Sequence, residues 1–321
     1  MMGIRNHFLF ALVGPLCVAA WKNPFSVVKR AGDCPGIWST ISSQLTTVFL
    51  GADGQCTDLA RAAIRFAFHD SGAYSSTLPS YEPASGGADG SLLLSPDEIS
   101  RSENNGLESY HDWLTGFYAD YSSQVSAADL IQFAASHATV TCPGGPQVRT
   151  VVGRTDTDTA GPEGQLPQPF GAGAAYDTLF QLFTNKGFST VDLAALIGAH
   201  STSKAFAQTA NGIPSGGSQD STPGKWDVDY YAQTYDPPSN VYRFDSDVNL
   251  SNTSTTVGQA FSGFVNNQAK WAAAFTDAMA RLSVLGIPTD TVDSFVDCTG
   301  ALPSGSLRRD IRASPLNARL R

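Results

Sequence analysis

Two histidines in this sequence have neighbours that could join them in chemistry. His69 closes the segment RAAIRFAFHD with Arg65 four residues before it, so on a helix the two side chains share one face. A neutral imidazole there can accept a proton from one oxygen and return it to another. The guanidinium can stabilise negative charge developing on the departing oxygen, and Phe68 can supply an apolar wall. Taken alone, Arg-x-x-x-His reads first as a surface pair on an ordinary helix. His200 lies in STVDLAALIGAHS, where Leu193, Leu196, Ile197 and His200 fall at i, i+3, i+4 and i+7 and set the histidine on a buried stripe. Such an imidazole is either a hydrogen-bonded core residue or the axial ligand of an iron centre, and spacing does not separate the two. His111 and His137 lack helpful neighbours and read as structural or exposed.

The loops beside these histidines carry a second pattern. Asp70 directly follows His69, and GGADGS supplies Gly87, Asp89 and Ser91. Ser201 directly follows His200, and DSTPGKWD supplies Asp220, Thr222 and Asp227. Calcium takes carboxylate, hydroxyl and carbonyl oxygens of this kind. A cation bound in each loop would clamp the helix end that aims each imidazole. The other reading, two polar surface turns, loses force because the pattern occurs after both histidines.

The elements that must position these groups are helical. Ile37, Ile41, Leu45 and Phe49 recur every four residues, marking an amphipathic helix. Further helices are expected over residues 57–69, 105–121, 126–139, 176–186 and 189–204. The last opens on a capping-box-like Ser189 and Asp192. A long helical pattern runs over 258–285, in one piece or two. Strand-like alternation is scarce. Residues 71–91 and 211–229 are rich in Gly, Ser, Pro and Asp and read as ordered loops.

Residues 1–20 combine Arg5, an apolar run from Phe8 and small residues at Val18 and Ala20, the pattern of a secretory signal peptide and too short for a membrane span. Lys29-Arg30 is a dibasic pair, so residues 21–30 are expected to be a pro-peptide. The net charge of −9 argues against nucleic-acid binding. The tail, residues 301–321, is basic, carries few large apolar residues and is expected to be disordered. Beyond Cys17, the four cysteines Cys34, Cys56, Cys142 and Cys298 suit two disulfides in one of three pairings. Asn249 and Asn252 head glycosylation sequons.

RFAFHD, GGADGS, GAHS and DSTPG, in this order and spacing, resemble the secreted fungal class of the plant, fungal and bacterial haem peroxidases, from about Cys34 to Cys298. The resemblance implies a mainly α, two-lobed fold with few short strands. Its distal lobe (31–150) and proximal lobe (151–300) would enclose haem b. It implies that His69 is the distal acid–base group, Arg65 the distal arginine, Phe68 the distal aromatic and Asn104 the asparagine that holds the histidine, with Glu98 in support. It makes His200 the proximal iron ligand, Asp247 its carboxylate partner and Pro167 a liner of the haem-edge channel. It also implies two Ca²⁺ sites: Asp70, Gly87, Asp89 and Ser91 on the distal side, and Ser201, Asp220, Thr222, the Lys225 carbonyl and Asp227 on the proximal side. Cys34–Cys298 and Cys56–Cys142 would be the disulfides. The implied activity is reduction of hydrogen peroxide at the expense of one-electron donors, by a secreted monomer with no nucleic-acid or membrane partner.

The reductant is read from departures. Manganese oxidation in the family uses three carboxylates, and the corresponding positions here are Asp58, Ala62 and Phe206. The exposed tryptophan used for long-range electron transfer is replaced by Ala195. Small phenols or dyes at the haem edge are therefore expected, and Trp113, Trp226 and Trp271 are expected to be packing residues. The alternatives are a manganese-dependent enzyme with a rearranged site, a secreted calcium-stabilised binding protein without catalysis, and a zinc hydrolase, for which no H-E-x-x-H motif is present.

Overall fold

The computed structural model describes residues 33–78 and 86–305. The expected signal peptide, the pro-peptide and the tail from residue 306 lie outside the described residues. The chain is mainly helical, as expected: α1 (Ile37–Phe49), α2 (Asp58–Ser71), α3 (Ser91–Leu94), α4 (Pro96–Ile99), α5 (Glu108–Ala119), α6 (Ala127–Thr141), α7 (Tyr176–Asn185), α8 (Thr190–Leu196), α9 (Asp229–Tyr235), α10 (Asp245–Leu250), α11 (Thr256–Ser262), α12 (Gln268–Leu282) and α13 (Thr289–Val292). Two small antiparallel pairs join β1 (Val151–Val152) to β4 (Val296–Asp297) and β2 (Lys204–Ala205) to β3 (Gly217–Ser218).

The helix starts follow from capping. Thr57 accepts from the Ala60 amide at the head of α2, and Ser126 from the Asp129 amide at the head of α6. The Asp156 carboxylate also takes the Ala127 and Ala128 amides, each at 2.8 Å. Each such cap stabilises a helix by about 1 kcal/mol. The pattern over 258–285 breaks into α11 and α12 at Asn266, whose φ of 55° is left-handed, and Asn267 then caps α12.

Packing forms two centres. In one, α2 lies against α6, with α1 across both, around Phe49, Phe66 and Phe133. In the other, α8 lies against α11 and α12, around Phe261, Trp271 and Phe275. The first centre carries His69 and the second His200. Residues 153–170 cross between them: Leu166 packs close to Gly72, just after His69, and the Pro169 carbonyl accepts from Ser246, just before Asp247. Gly106 lies close to both Arg65 and Ala207, and Lys204 reaches Asp58 at 3.4 Å.

His137 is structural, fully buried between α1 and α6, where Nε2 lies 2.8 Å from the Ser42 carbonyl and 3.1 Å from Thr46 Oγ1. The Cys34–Cys298 disulfide is present. The other expected bridge is not formed. Cys56 and Cys142 are buried free thiols whose side chains share a hydrogen bond, and Cys56 Sγ also faces the Pro223 carbonyl at 4.0 Å.

Candidate active site

His69 sits in the last turn of α2, buried, with Arg65 one turn earlier. Its Nδ1 lies 2.8 Å from Asn104 Oδ1. The Asn104 amide nitrogen donates to the Glu98 carbonyl at 2.7 Å, which fixes the oxygen toward the histidine. The hydrogen therefore resides on Nδ1, and Nε2 keeps its lone pair. Arg65 Nε donates to that Nε2 at 3.1 Å, and Arg65 Nη1 donates to the Asn105 carbonyl. Glu98 thus supports the asparagine through its main chain, while its carboxylate accepts from the Gly161 amide at 2.7 Å. Phe68 stands edge-on to His69, with ring centroids 5.6 Å apart, and stacks on Phe183.

Burial, and then the charge of Arg65, drive the His69 pKa well below its ordinary value, so the imidazole is neutral. Arg65 is exposed to solvent. Desolvation by the surrounding protein nonetheless lowers its pKa to about 10, against the opposing charge of Glu108.

On the other side the expected helix over 189–204 gives way. The α8 segment keeps its Ser189–Asp192 capping box but ends at Leu196, and His200 lies in a 3₁₀ turn over Ile197–Thr202. The reason is competition for carbonyls. Tyr231 donates to the Ala194 carbonyl at 2.8 Å and Trp271 to the Ala195 carbonyl at 3.2 Å. In an α-helix these oxygens would serve the amides of Gly198 and Ala199. Gly198 permits the approach, since a Cβ there would stand 2.4 Å from both Trp271 Nε1 and the Tyr231 hydroxyl.

The His200 side chain is 30% exposed, and its Nδ1 lies 3.0 Å from the buried Asp247 Oδ2. Among the described residues no hydrogen bond engages Nε2. The ring is held edge-on by Tyr230 and Phe244, at centroid distances of 5.9 and 5.6 Å. Asp247 is steadied by Ser246 Oγ at 3.1 Å and Gln219 Nε2 at 3.5 Å. Pro167 is half-buried in the crossing segment.

The two oxygen-rich loops place their polar groups as follows. Asp70, fully buried, accepts weakly from the Gly90 and Leu92 amides at 3.4 and 3.3 Å. Burial, with repulsion from Asp89 and Glu98, raises its pKa well above the ordinary value. Burial likewise raises Asp89, to about 6. Gly87 lies against Leu285, and Ser91 Oγ is buried without a hydrogen bond of good geometry. In the second loop, Thr222 Oγ1 stands 2.8 Å from both Asp220 Oδ1 and Asp227 Oδ2, and Ser201 Oγ accepts from the Asp227 amide. Asp220 Oδ2 is buried and unpartnered, and burial with repulsion from Asp227 raises Asp220 to about 6. The Lys225 ammonium lies 3.1 Å from Asp227. Among the described residues no three His, Cys, Asp or Glu side chains form a ready-made metal cluster. Each loop instead brings carboxylates together with hydroxyls.

The positions that bear on the reductant are also clear. Asp58 is paired with Arg61 at 2.8 Å and Lys204 at 3.4 Å, Ala62 has no donor and Phe206 is 46% exposed. Ala195 is fully buried, as is Trp271, while Trp226 is 2% exposed and Trp113 packs on Phe117 and Tyr110. Of the sequons, Asn252 is exposed, whereas the Asn249 amide donates to the Ala174 carbonyl at 2.7 Å.

The sequence model of the family described as Peroxidase matches residues 43–267. The chain is 31% identical over 278 residues to manganese peroxidase H4 of Phanerodontia chrysosporium, covering 78% of this chain and 69% of that protein. It is 29% identical over 292 residues to versatile peroxidase VPS1 of Pleurotus eryngii, with 84% and 75% covered. It is 30% identical over 272 residues to ligninase H2 of Phanerodontia chrysosporium, with 78% and 70% covered. A match over more than half the chain, together with fungal relatives aligned along most of their length, shows that this chain belongs to the peroxidase family.

Proposed function

We propose that this peroxidase binds haem b between a distal lobe carrying His69 and a proximal lobe carrying His200, and oxidises small phenols or dyes. The observation that carries the reading is a matched pair. Each histidine has Nδ1 held by a buried oxygen, from Asn104 or Asp247; His200 Nε2 has no hydrogen bond among the described residues, and His69 Nε2 accepts only from Arg65 Nε. The donor set fits the group: an imidazole with a carboxylate behind it and a partly open ring on one side, and a neutral imidazole with a guanidinium on the other. Held by His200 and faced by His69 and Arg65, a bound haem would supply redox chemistry toward peroxide and one-electron donors.

The protein's own residues handle protons and charge. His69 Nε2 would take a proton from one peroxide oxygen and return it to the other, departing oxygen. Arg65 turns from His69 to stabilise negative charge on that oxygen. Asn104 keeps the imidazole in the tautomer that can accept, and Phe68 limits the space beside it. Asp247 takes the Nδ1 hydrogen bond of His200 and increases the electron-donating character of Nε2.

Ca²⁺ in the loops at Asp70, Gly87, Asp89 and Ser91, and at Ser201, Asp220, Thr222, Lys225 and Asp227, is supported by the unpartnered Ser91 Oγ and Asp220 Oδ2 and by the mutual repulsion of the carboxylates. Each ion would fix the segment next to one histidine. Substrate would reach the haem edge past Pro167. A manganese site is disfavoured because Asp58, its one carboxylate, already faces two cations. The protein is read as an extracellular monomer. Absorption spectra with and without peroxide, followed by phenol, azo-dye and Mn²⁺ substrates, test the reading. A Soret band that changes with peroxide and phenol turnover well above Mn²⁺ turnover are expected. No Soret band removes the haem assignment, and dominant Mn²⁺ turnover removes the substrate assignment.

A further inference from the structure

A chain of aromatic rings leaves the proximal histidine and ends at the surface. Tyr230, 1% exposed, stands edge-on to His200 with centroids 5.9 Å apart. Phe261, fully buried, meets Tyr230 at 5.7 Å and Tyr235 at 5.8 Å. Tyr235 is 41% exposed. Its hydroxyl donates to the Ser251 carbonyl at 2.8 Å, which pins the ring of the last α9 residue against the end of α10. On α10, Val248 is 39% exposed and adds apolar surface one turn before Ser251.

Other ring chains do not offer this. On the distal side, Phe68, Phe183 and Phe188 run in contact, but none is an oxidisable ring. Trp226 and Trp271 stack at 5.4 Å, yet both are buried and cannot meet an external donor. Among the described tyrosines and tryptophans, Tyr235 alone is exposed. It is thus an oxidisable, accessible ring linked by continuous contact to the proximal histidine.

We propose that Tyr235 is a second oxidation site, where phenolic or dye reductants too bulky for the haem cleft deliver electrons one at a time through Phe261 and Tyr230. The inference rests on the haem reading above. Tyr235 gives one electron to the oxidising centre and its phenolic proton to solvent, becoming a neutral phenoxyl radical. A bulky phenol then transfers a hydrogen atom to the Tyr235 oxygen: its O–H bond breaks as that of Tyr235 re-forms. Two such cycles supply the two electrons and two protons that convert one hydrogen peroxide into two waters. Phe261 and Tyr230 act as a bridge of packed rings and need not be oxidised themselves.

The test uses the haem-loaded protein, one equivalent of peroxide, a nitroso spin trap and no reductant, followed by peptide mass spectrometry. An adduct on Tyr235 is expected, absent when haem is withheld and absent in Tyr235→Phe. The same variant should lower the ratio of bulky-dye to small-phenol turnover about tenfold. If that variant does not fold, the wild-type mapping decides alone. A wild-type protein that consumes peroxide but carries its adducts elsewhere overturns the relay and leaves the haem reading standing. A protein that neither takes up haem nor reacts with peroxide overturns both.

Discussion

Asp247 is almost fully buried, yet its Oδ2 lies 3.0 Å from Nδ1 of the partly open His200 ring. A buried carboxylate with one imidazole partner orients that ring and sets its tautomer, so Nε2 is presented as a ligand. Asp247→Asn keeps the shape and removes the charge. We expect a loss of about 10- to 100-fold in haem affinity or peroxide reactivity, read by haem transfer to an apo-acceptor and by stopped-flow absorbance. Unchanged values in both would detach Asp247 from the iron ligand.

Arg65 influences proton transfer through charge as well as contact. Its positive charge disfavours protonation of His69 and, after burial, is the next cause of the lowered imidazole pKa. The peroxide reaction needs the neutral base, so its rate falls only on the acid side of that pKa. In Arg65→Leu the His69 pKa rises, and the acid limb of the pH–rate profile moves to higher pH. The plateau should also drop by about 10²- to 10³-fold through loss of charge stabilisation. An acid limb that stays in place or moves lower contradicts the assignment.

Cation removal should have a pH signature. Without a bound ion, burial holds the carboxyls of Asp89 and Asp220 at about 6, above their value in the unfolded chain. For acids raised in this way, the folded state binds more protons. Their stabilisation is present at low pH and lost as pH rises through about 6. A chelator should therefore lower Tm more near pH 7 than near pH 4.5, and added Ca²⁺ should reverse the effect. A chelator effect that is absent, or equal at both pH values, would count against cation binding in these loops.

His137 gives the opposite dependence. Burial depresses its pKa to about 4 from an ordinary 6.5, against the opposing hydrogen bond to Ser42. The unfolded chain then binds the proton better, so this contribution is complete above the ordinary value and is lost as pH falls through the window down to about 4. The loss approaches about 3 kcal/mol from the size of the shift. Denaturant unfolding of wild type and His137→Leu at both ends of that window should show a smaller pH dependence in the variant. An equal dependence would place the acid sensitivity elsewhere.

Much of this was legible along the chain. Helical spacing put Arg65 and His69 on one face, their roles came from the resemblance, and α1 and the Ser189–Asp192 cap followed from local pattern. Asp247 was visible only through resemblance, because it reaches His200 across 47 residues from a six-residue helix. The 3₁₀ turn at His200 was hidden for a similar reason: Tyr231 and Trp271 take the carbonyls of α8 from distant segments, and only Gly198 hinted at a close approach. The resemblance pointed to Glu98, but its supporting atom is a main-chain oxygen. The Cys56–Cys142 bridge was inferred from the family pattern, while the structure holds two hydrogen-bonded thiols.

The most direct comparison is between His69→Ala and His200→Ala, each followed by its absorption spectrum and its rate with peroxide. His69→Ala should retain the Soret band of an imidazole-ligated haem and lose about 10²- to 10⁴-fold in peroxide rate, the range of a positioned acid–base group, whereas His200→Ala should lose the imidazole ligation itself. An undiminished peroxide rate in the first variant, or an unaltered spectrum in the second, would contradict the roles given to the two histidines.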